Sequence, residues 1–490
     1  MGPVNLLFLF TDEQRADTLA AYGNRGIRMP HLDRLASRSV LFERAYVTQP
    51  VCTPSRSTIL TGLWPHTSGC TENNVPLRDE TPCLPELLPA GKYATAYYGK
   101  WHLGDELRPQ HGFADWRSIE DGYRKHYGPR CDRDARSDYH HFLIANGIRP
   151  ADGSAFPREE AARLDEEFSK PAYLAREAAA FLRGHRKDPF VLFVNFLEPH
   201  MPFFGPRDGQ YGPAEVALPA NFDHPPTGEQ HPKYRLFREH YRRAGCGGSG
   251  PLGDEAAWRR LIARYWGLCS QVDTHVGTIL AALEDCGLAE RTIVVFTSDH
   301  GDMMGSHQLA AKCVMLEEAV RVPMMIRLPG QAAGRRIPGP VSQIDLVPTL
   351  LDLMGEAVPG CLQGRSLRPE IEGRGVRDDV VVEWNGPNCG LAADVMGKVE
   401  LPEHLAGICT AEQAAAAICD PVRTIVSPDG GKLTVSPLGF HELYDLAADP
   451  LETANLAARP EHRPRAAALA ARLRRWQERT ADTVELPELA

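Results

Sequence analysis

Residues 4–13 read VNLLFLFTDE. Apart from Asn5, the run is apolar from Val4 to Phe10, and then it stops on a threonine and two acids. A strand with one wet face alternates apolar and polar residues. A run with no alternation is the mark of a strand covered on both sides, as in a parallel sheet. The same form recurs at PFVLFVNFLEPH (189–200) and TIVVFTSDHGD (292–302), and ATAYYGKWHLG (94–104) reads as a strand ending in a loop. Between these runs lie helical patterns. HLDRLASRSVLFERAY (31–46) reads as a helix running into a strand, STILTG (57–62) as a helix ending at Gly62, PAYLAREAAAFLRGH (171–185) as an amphipathic helix and residues 258–287 as a long helix. The fold class is therefore α/β: a large, mostly parallel sheet with helices on both faces.

The polar residues cluster just beyond the strand ends: TDE at 11–13, GKWH at 99–102, EPH at 198–200 and SDHGD at 298–302. Open α/β sheets bind ligands at that carboxyl edge, so four distant segments are expected to converge there. Segments 105–170 and 203–257 are rich in Pro, Gly, Arg and His with weak periodicity, and read as long excursions over the site that shape substrate choice. Near 355–378 the sequence reads as a connection. Beyond it, RTIVSPDGGKLTV (423–435) signals a hairpin, followed by HELYDL and a helix near 460–480. The expected organisation is a catalytic domain over 1–375 and a smaller C-terminal α+β domain over 376–490, carrying a short antiparallel sheet.

The chain has 490 residues, is 43% hydrophobic and 24% charged, and carries a formal net charge of −10. That is enough for a sizeable core. The acidic balance argues against nucleic acid or an anionic membrane as partner. No run reaches transmembrane length, and the N-terminus lacks a basic leader. The chain reads as cytoplasmic, or as periplasmic or secreted if a leader precedes this sequence. Its 12 cysteines are scattered without a C-x-x-C pair, a spacing that suggests neither a zinc site nor a disulfide framework.

One cysteine stands apart. QPVCTPSRSTILTG (49–62) places Cys52 in a Ser/Thr/Pro/Arg-rich turn with Arg56 one helical turn on. The segment CTPSRSTILTG resembles the C-x-P-S-R-x-x-x-x-T-G signature of the formylglycine-dependent sulfatases, of the alkaline-phosphatase-like superfamily. The resemblance extends through TDEQRAD, GKWHLG, EPHMPF, TSDHGDMMGSHQLAAK, RVPMMI and the ELYDL tail. It implies that Cys52 is oxidised to formylglycine by a maturation enzyme. A sulfate monoester needs a nucleophile whose adduct can break down, and an aldehyde hydrate offers one hydroxyl to attack and another to release sulfate.

The resemblance assigns further roles. Asp12, Asp299 and His300, with Glu13 beside them, would hold a divalent cation, since hard carboxylates with an imidazole suit Ca²⁺ above all, and also Mg²⁺ or Mn²⁺. Glu13 departs from the commoner second Asp. Two acids after a strand also read as helix N-caps, and it is their pairing with Ser-Asp-His-Gly that turns them toward metal. Arg56 would hold the hydrate. Lys100 and His102 would contact the sulfate, and His200 and Lys312 the leaving oxygen. Asp302 and His307 have no assigned role. A Cys52→Ala change is expected to spare the fold, as a surface-turn side chain contributes little to a core.

The implied activity is hydrolysis of sulfate monoesters of aryl, sugar or alkyl alcohols, small molecules or saccharides, and a homo-oligomer is compatible with the sequence. The alternatives are a phosphonate monoester or phosphodiester hydrolase of the same formylglycine group, and a binding protein that keeps the scaffold without maturation. GKWHLG favours sulfate, because phosphonate-cleaving relatives carry Tyr/Thr-type residues there. The complete set of expected positions argues against a binding protein.

Overall fold

The computed structural model describes residues 2–126, 132, 134–375, 378–387 and 389–489. Eight strands build the main sheet: β1 (Asn5–Asp12), β2 (Val40–Tyr46), β3 (Ala94–Gly99), β4 (Asp115–Arg117), β5 (Phe190–Pro199), β6 (Thr292–Ser298), β7 (Arg321–Arg327) and β8 (Arg335–Ser342). Their order is β4-β3-β5-β1-β6-β7-β2-β8. β7 runs antiparallel to both neighbours, β6 and β2, and the remaining pairings are parallel. The mostly parallel sheet expected from the apolar runs is present. The reversed direction of β7 has no counterpart in its sequence, RVPMMIR, because strand direction is fixed by connections rather than by composition.

The apolar runs are buried for the expected reason. All eight residues of β1 are buried, and Phe8 stacks on Phe193 of β5 with ring centroids 4.5 Å apart. Helices Lys170–Gly184 and Glu255–Asp285 pack on the sheet and on each other. Both match the expected helices to within a few residues at each end. Segment 203–257 is less irregular than its composition suggests, since it contains the helix Pro232–Ala244. The Arg/His-rich stretch 124–141 lies partly outside the described residues.

A separate antiparallel sheet, β12-β11-β10-β9, follows, formed by β9 (Val380–Glu383), β10 (Arg423–Val426), β11 (Gly431–Val435) and β12 (Glu442–Asp445). The DGG-marked hairpin joins β10 to β11. The helix Arg463–Thr480 lies on this sheet through Leu469, Leu473 and Trp476. The proposed boundary at 375/376 adjoins residues 376 and 377, which lie outside the described residues. Among the described residues no helix is long and apolar enough to cross a membrane.

Candidate active site

Four adjacent strands, β3, β5, β1 and β6, deliver the polar strand ends to one place. The helix Cys52–Thr61 enters that place with Cys52 as its first residue. Cys52 is 1% exposed and every residue of its helix is buried. This corrects the surface-turn reading of Cys52 and rules out a solvated Arg56. A helix buried on all sides can carry so many hydroxyls because they bond locally: Ser57 to the Pro54 carbonyl at 3.0 Å, Thr61 to the Ser57 carbonyl at 2.6 Å, Thr58 with Thr48 at 2.8 Å. Gly62 ends it at φ +67, where a Cβ would press on Leu362 and Val347.

The Cys52 Sγ lies 3.3 Å from His300 Nε2 and 3.7 Å from Asp12 Oδ1. Arg56, with no exposed surface, donates from Nε to Asp299 Oδ2 at 2.9 Å and from Nη2 to Asp12 Oδ2 at 2.9 Å. Its Nη1 donates to the Lys100 carbonyl at 2.8 Å and to Asn195 Oδ1 at 2.6 Å. Lys100 Nζ also donates to Asp12 Oδ2. Burial opposes charge on Asp12, but the neighbouring cations, Lys100 first and Arg56 with it, outweigh it and hold the carboxyl well below its usual range. Burial likewise opposes charge on Lys100, and Asp12 reverses that, so its ammonium is held above the ordinary value.

The second half of the site centres on Glu13, whose backbone is left-handed at φ +68. Lys312 Nζ donates to Glu13 Oε2 at 2.6 Å, and His200 Nε2 lies 3.4 Å from the same oxygen. Burial drives the Glu13 carboxyl up to about 8 despite Lys312, and the neighbouring Asp302 adds to the rise. His102 faces the first half. Its Nε2 lies 3.0 Å from Asn74 Oδ1, its buried Nδ1 has no partner, and its ring stacks on Tyr123 at 4.0 Å. Burial, then Lys100 and Arg56, push His102 well below its ordinary value, and burial with Lys312 does the same to His200. Both are neutral imidazoles at pH 7.

The donor set fits a divalent cation. Asp12, Asp299, His300 and Cys52 each offer one ligand atom, and the four atoms lie within 4.8 Å of one another. The Gly301 carbonyl lies 2.9 Å from His300 Nδ1, so that nitrogen carries the proton and Nε2 keeps its lone pair for a metal. Glu13 does not join this quartet. It groups instead with Asp12 and His200, and its Oε1 is buried without a partner.

All ten residues singled out from the sequence thus meet at one sheet edge. Four partners were not foreseen. Asn195 is a lone polar residue inside FVLFVNFLEP, a visible interruption that could have marked it. Glu106 accepts the backbone N–H groups of Trp101 at 2.9 Å and His102 at 2.5 Å, and so fixes the loop in which His102 adopts φ +59. Asn74 and Tyr123 come from stretches with no local signal. Of the two unassigned residues, Asp302 accepts the Met304 N–H at 2.6 Å and His307 Nδ1 lies 2.7 Å from the His224 carbonyl.

A sulfatase family model matches residues 4–356. The chain belongs to the sulfatase family. Among its relatives is the ulvan-active sulfatase of Formosa agariphila, 29% identical over 384 residues, which cover 75% of this chain and 65% of that protein. The N-acetylglucosamine-6-O-sulfatase of Bacteroides thetaiotaomicron is 28% identical over 410 residues, covering 76% of this chain and 71% of that one. Among solved structures, the phosphonate monoester hydrolase of Silicibacter pomeroyi superposes with a TM-score of 0.76 at 25% identity, covering 97% and 96% of the two chains. The sulfatase fold therefore extends well beyond the matched 4–356.

Proposed function

We propose that this sulfatase-family chain hydrolyses sulfate monoesters, with Cys52 matured to formylglycine and a divalent cation held by Asp12, Asp299 and His300. The observation that carries the reading is the position of Cys52: within C-T-P-S-R, first in a fully buried helix, with its sulfur 3.3 Å from His300 and 3.7 Å from Asp12. The hydrated aldehyde would supply an attacking hydroxyl and a second hydroxyl through which sulfate is released. A cation held by Asp12, Asp299 and His300 would supply Lewis-acid polarisation of the ester oxygens.

The chain's own residues do the rest. Arg56 fixes Asp12 and Asp299 in place, because every nitrogen of its guanidinium is engaged. Lys100 presents positive charge beside Cys52, where a sulfate oxygen would sit. His102, neutral and held by Asn74, offers an unpartnered Nδ1 as the base that takes a proton from the hydrate. Lys312 and His200 face the leaving oxygen, with Glu13 between them, 2.6 Å from Lys312 Nζ and 3.4 Å from His200 Nε2. The alcohol is proposed to be a sugar, on the strength of the N-acetylglucosamine sulfatase relative; the maturation enzyme is the implied partner.

A phosphonate monoester reading is favoured by one observation, the likeness to the Silicibacter pomeroyi enzyme. Lys100 and His102 argue for sulfate as the main activity. The test is a comparison of kcat/KM for 4-nitrophenyl sulfate and phenyl 4-nitrophenylphosphonate on matured protein. The higher value is expected for the sulfate, and a higher value for the phosphonate would replace this reading by the second. Exhaustive chelation should abolish activity and Ca²⁺, Mg²⁺ or Mn²⁺ should restore it. Full activity in the chelated protein would make Asp12, Asp299 and His300 structural.

A further inference from the structure

Behind the loop that carries Lys100 and His102, three side chains with no part in the chemistry above come together. Cys83, Glu86 and His111 each offer one donor atom, and the three atoms lie within 4.8 Å of one another. Cys83 is fully buried, the His111 side chain is 3% exposed and that of Glu86 is 34% exposed. Glu86 closes the turn Leu84–Leu87 by accepting the Cys83 N–H at 2.9 Å, which sets Cys83 and Glu86 on one side. His111 arrives from the far end of the loop after β3 in a left-handed conformation, φ +50. Gly112 follows at φ +76, where a Cβ would fall 2.7 Å from Glu86 Cγ. Only glycine lets the loop come this close.

His111 Nδ1 is the decisive atom. It is buried without a hydrogen-bond partner, which is costly for a polar nitrogen. It lies 3.5 Å from Glu86 Oε2. Two ligands at ~2.1 Å from a tetrahedral metal are separated by roughly 3.4 Å, so the spacing suits co-ligands and not a hydrogen bond.

We propose that Cys83, Glu86 and His111 form a structural transition-metal site, separate from the cation group at Asp12 and taking Zn²⁺. Thiolate, imidazole and carboxylate together select Zn²⁺ over Ca²⁺ or Mg²⁺, and water completes the tetrahedron on the half-exposed Glu86 side. Loading breaks the Cys83 S–H bond, sends the proton to solvent and forms the sulfur–metal bond. The metal ties segment 83–87 to the loop 100–112. Trp101 packs on the His111 ring at 5.8 Å, so the tie reaches the neighbours of Lys100 and His102. The spacing C-x-x-E with a histidine far downstream matches no ordinary zinc pattern, which is why the sequence gives no sign of it.

The test uses full-length Cys52→Ala protein, so that the catalytic group offers no sulfur. After removal of metals by chelation, Co²⁺ is titrated in and the sulfur-to-cobalt charge-transfer absorption is read. A band that saturates with one equivalent is expected. It should vanish in Cys83→Ser and require at least roughly tenfold more Co²⁺ in His111→Asn, and Zn²⁺ should raise the Tm of the parent by more than that of either variant. No band in the parent, or a band of unchanged affinity in either variant, would overturn the site. If Cys83→Ser does not fold, the parent and His111→Asn decide.

Discussion

Arg56 has no exposed surface, and each of its nitrogens is engaged by Asp12, Asp299, Asn195 or the Lys100 carbonyl. Removing one partner from a buried ion cluster leaves uncompensated charge and costs ~3–5 kcal/mol. Arg56→Ala should therefore lower unfolding stability by that amount as well as ending turnover, and a loss under ~1 kcal/mol by denaturant titration would show that the cluster relaxes. A second residue links loop geometry to pH. Burial raises the Glu106 carboxyl from 4.5 to about 7, against the pull of the two N–H groups it accepts. A carboxyl with a raised folded pKa favours the native state when protonated. Its contribution is complete below about pH 4.5 and is lost as pH rises to about 7. Glu106→Gln removes that titration, so its Tm relative to wild type should improve between pH 4.5 and 7. Parallel Tm profiles would contradict the shift.

At the scale of elements, Gly99 ends β3 at φ +122, and a Cβ there would sit 1.9 Å from the Asn195 carbonyl oxygen on β5. The glycine of G-K-W-H is thus a packing requirement between two strands, and it sets where Lys100 begins. Gly99→Ala should cost more than ~1 kcal/mol and lower kcat by displacing Lys100 and His102. A variant with wild-type Tm and kcat would refute this. The strands were legible because β1, β5 and β6 are sandwiched and leave an uninterrupted apolar record. The strand ends that form the candidate site were legible because polar residues interrupt that record at its edge. The supporting partners were not. Glu106 acts through backbone N–H groups, and Asn74 and Tyr123 act through contacts that no periodicity encodes. The burial of the Cys52 helix was hidden for a related reason: its serines and threonines look solvated in sequence but bond to nearby carbonyls and hydroxyls.

In the whole molecule, a buried charge cluster joins the small sheet to the large one. Lys432 of β11 lies 3.0 Å from Glu317 and 2.7 Å from Glu452, all three nearly fully buried, and Tyr46 at the end of β2 donates to Glu317 at 3.0 Å. Trp64, just past the Cys52 helix, meets Trp476 edge to face at 5.0 Å. We propose that 376–490 acts as a buttress and does not fold independently of the rest. Lys432→Met should then lower stability by ~3–5 kcal/mol in a single cooperative transition followed by tryptophan fluorescence. Two separated transitions, or no loss, would count against it. The proposed chemistry turns on one side chain at the heart of the molecule. The measurement that reaches it most directly is the mass of the tryptic peptide AYVTQPVCTPSR, residues 45–56, from protein co-expressed with a formylglycine-generating enzyme. A mass with CHO in place of CH₂SH at Cys52 is expected. An unmodified cysteine throughout, under conditions that mature a control sulfatase, would contradict it.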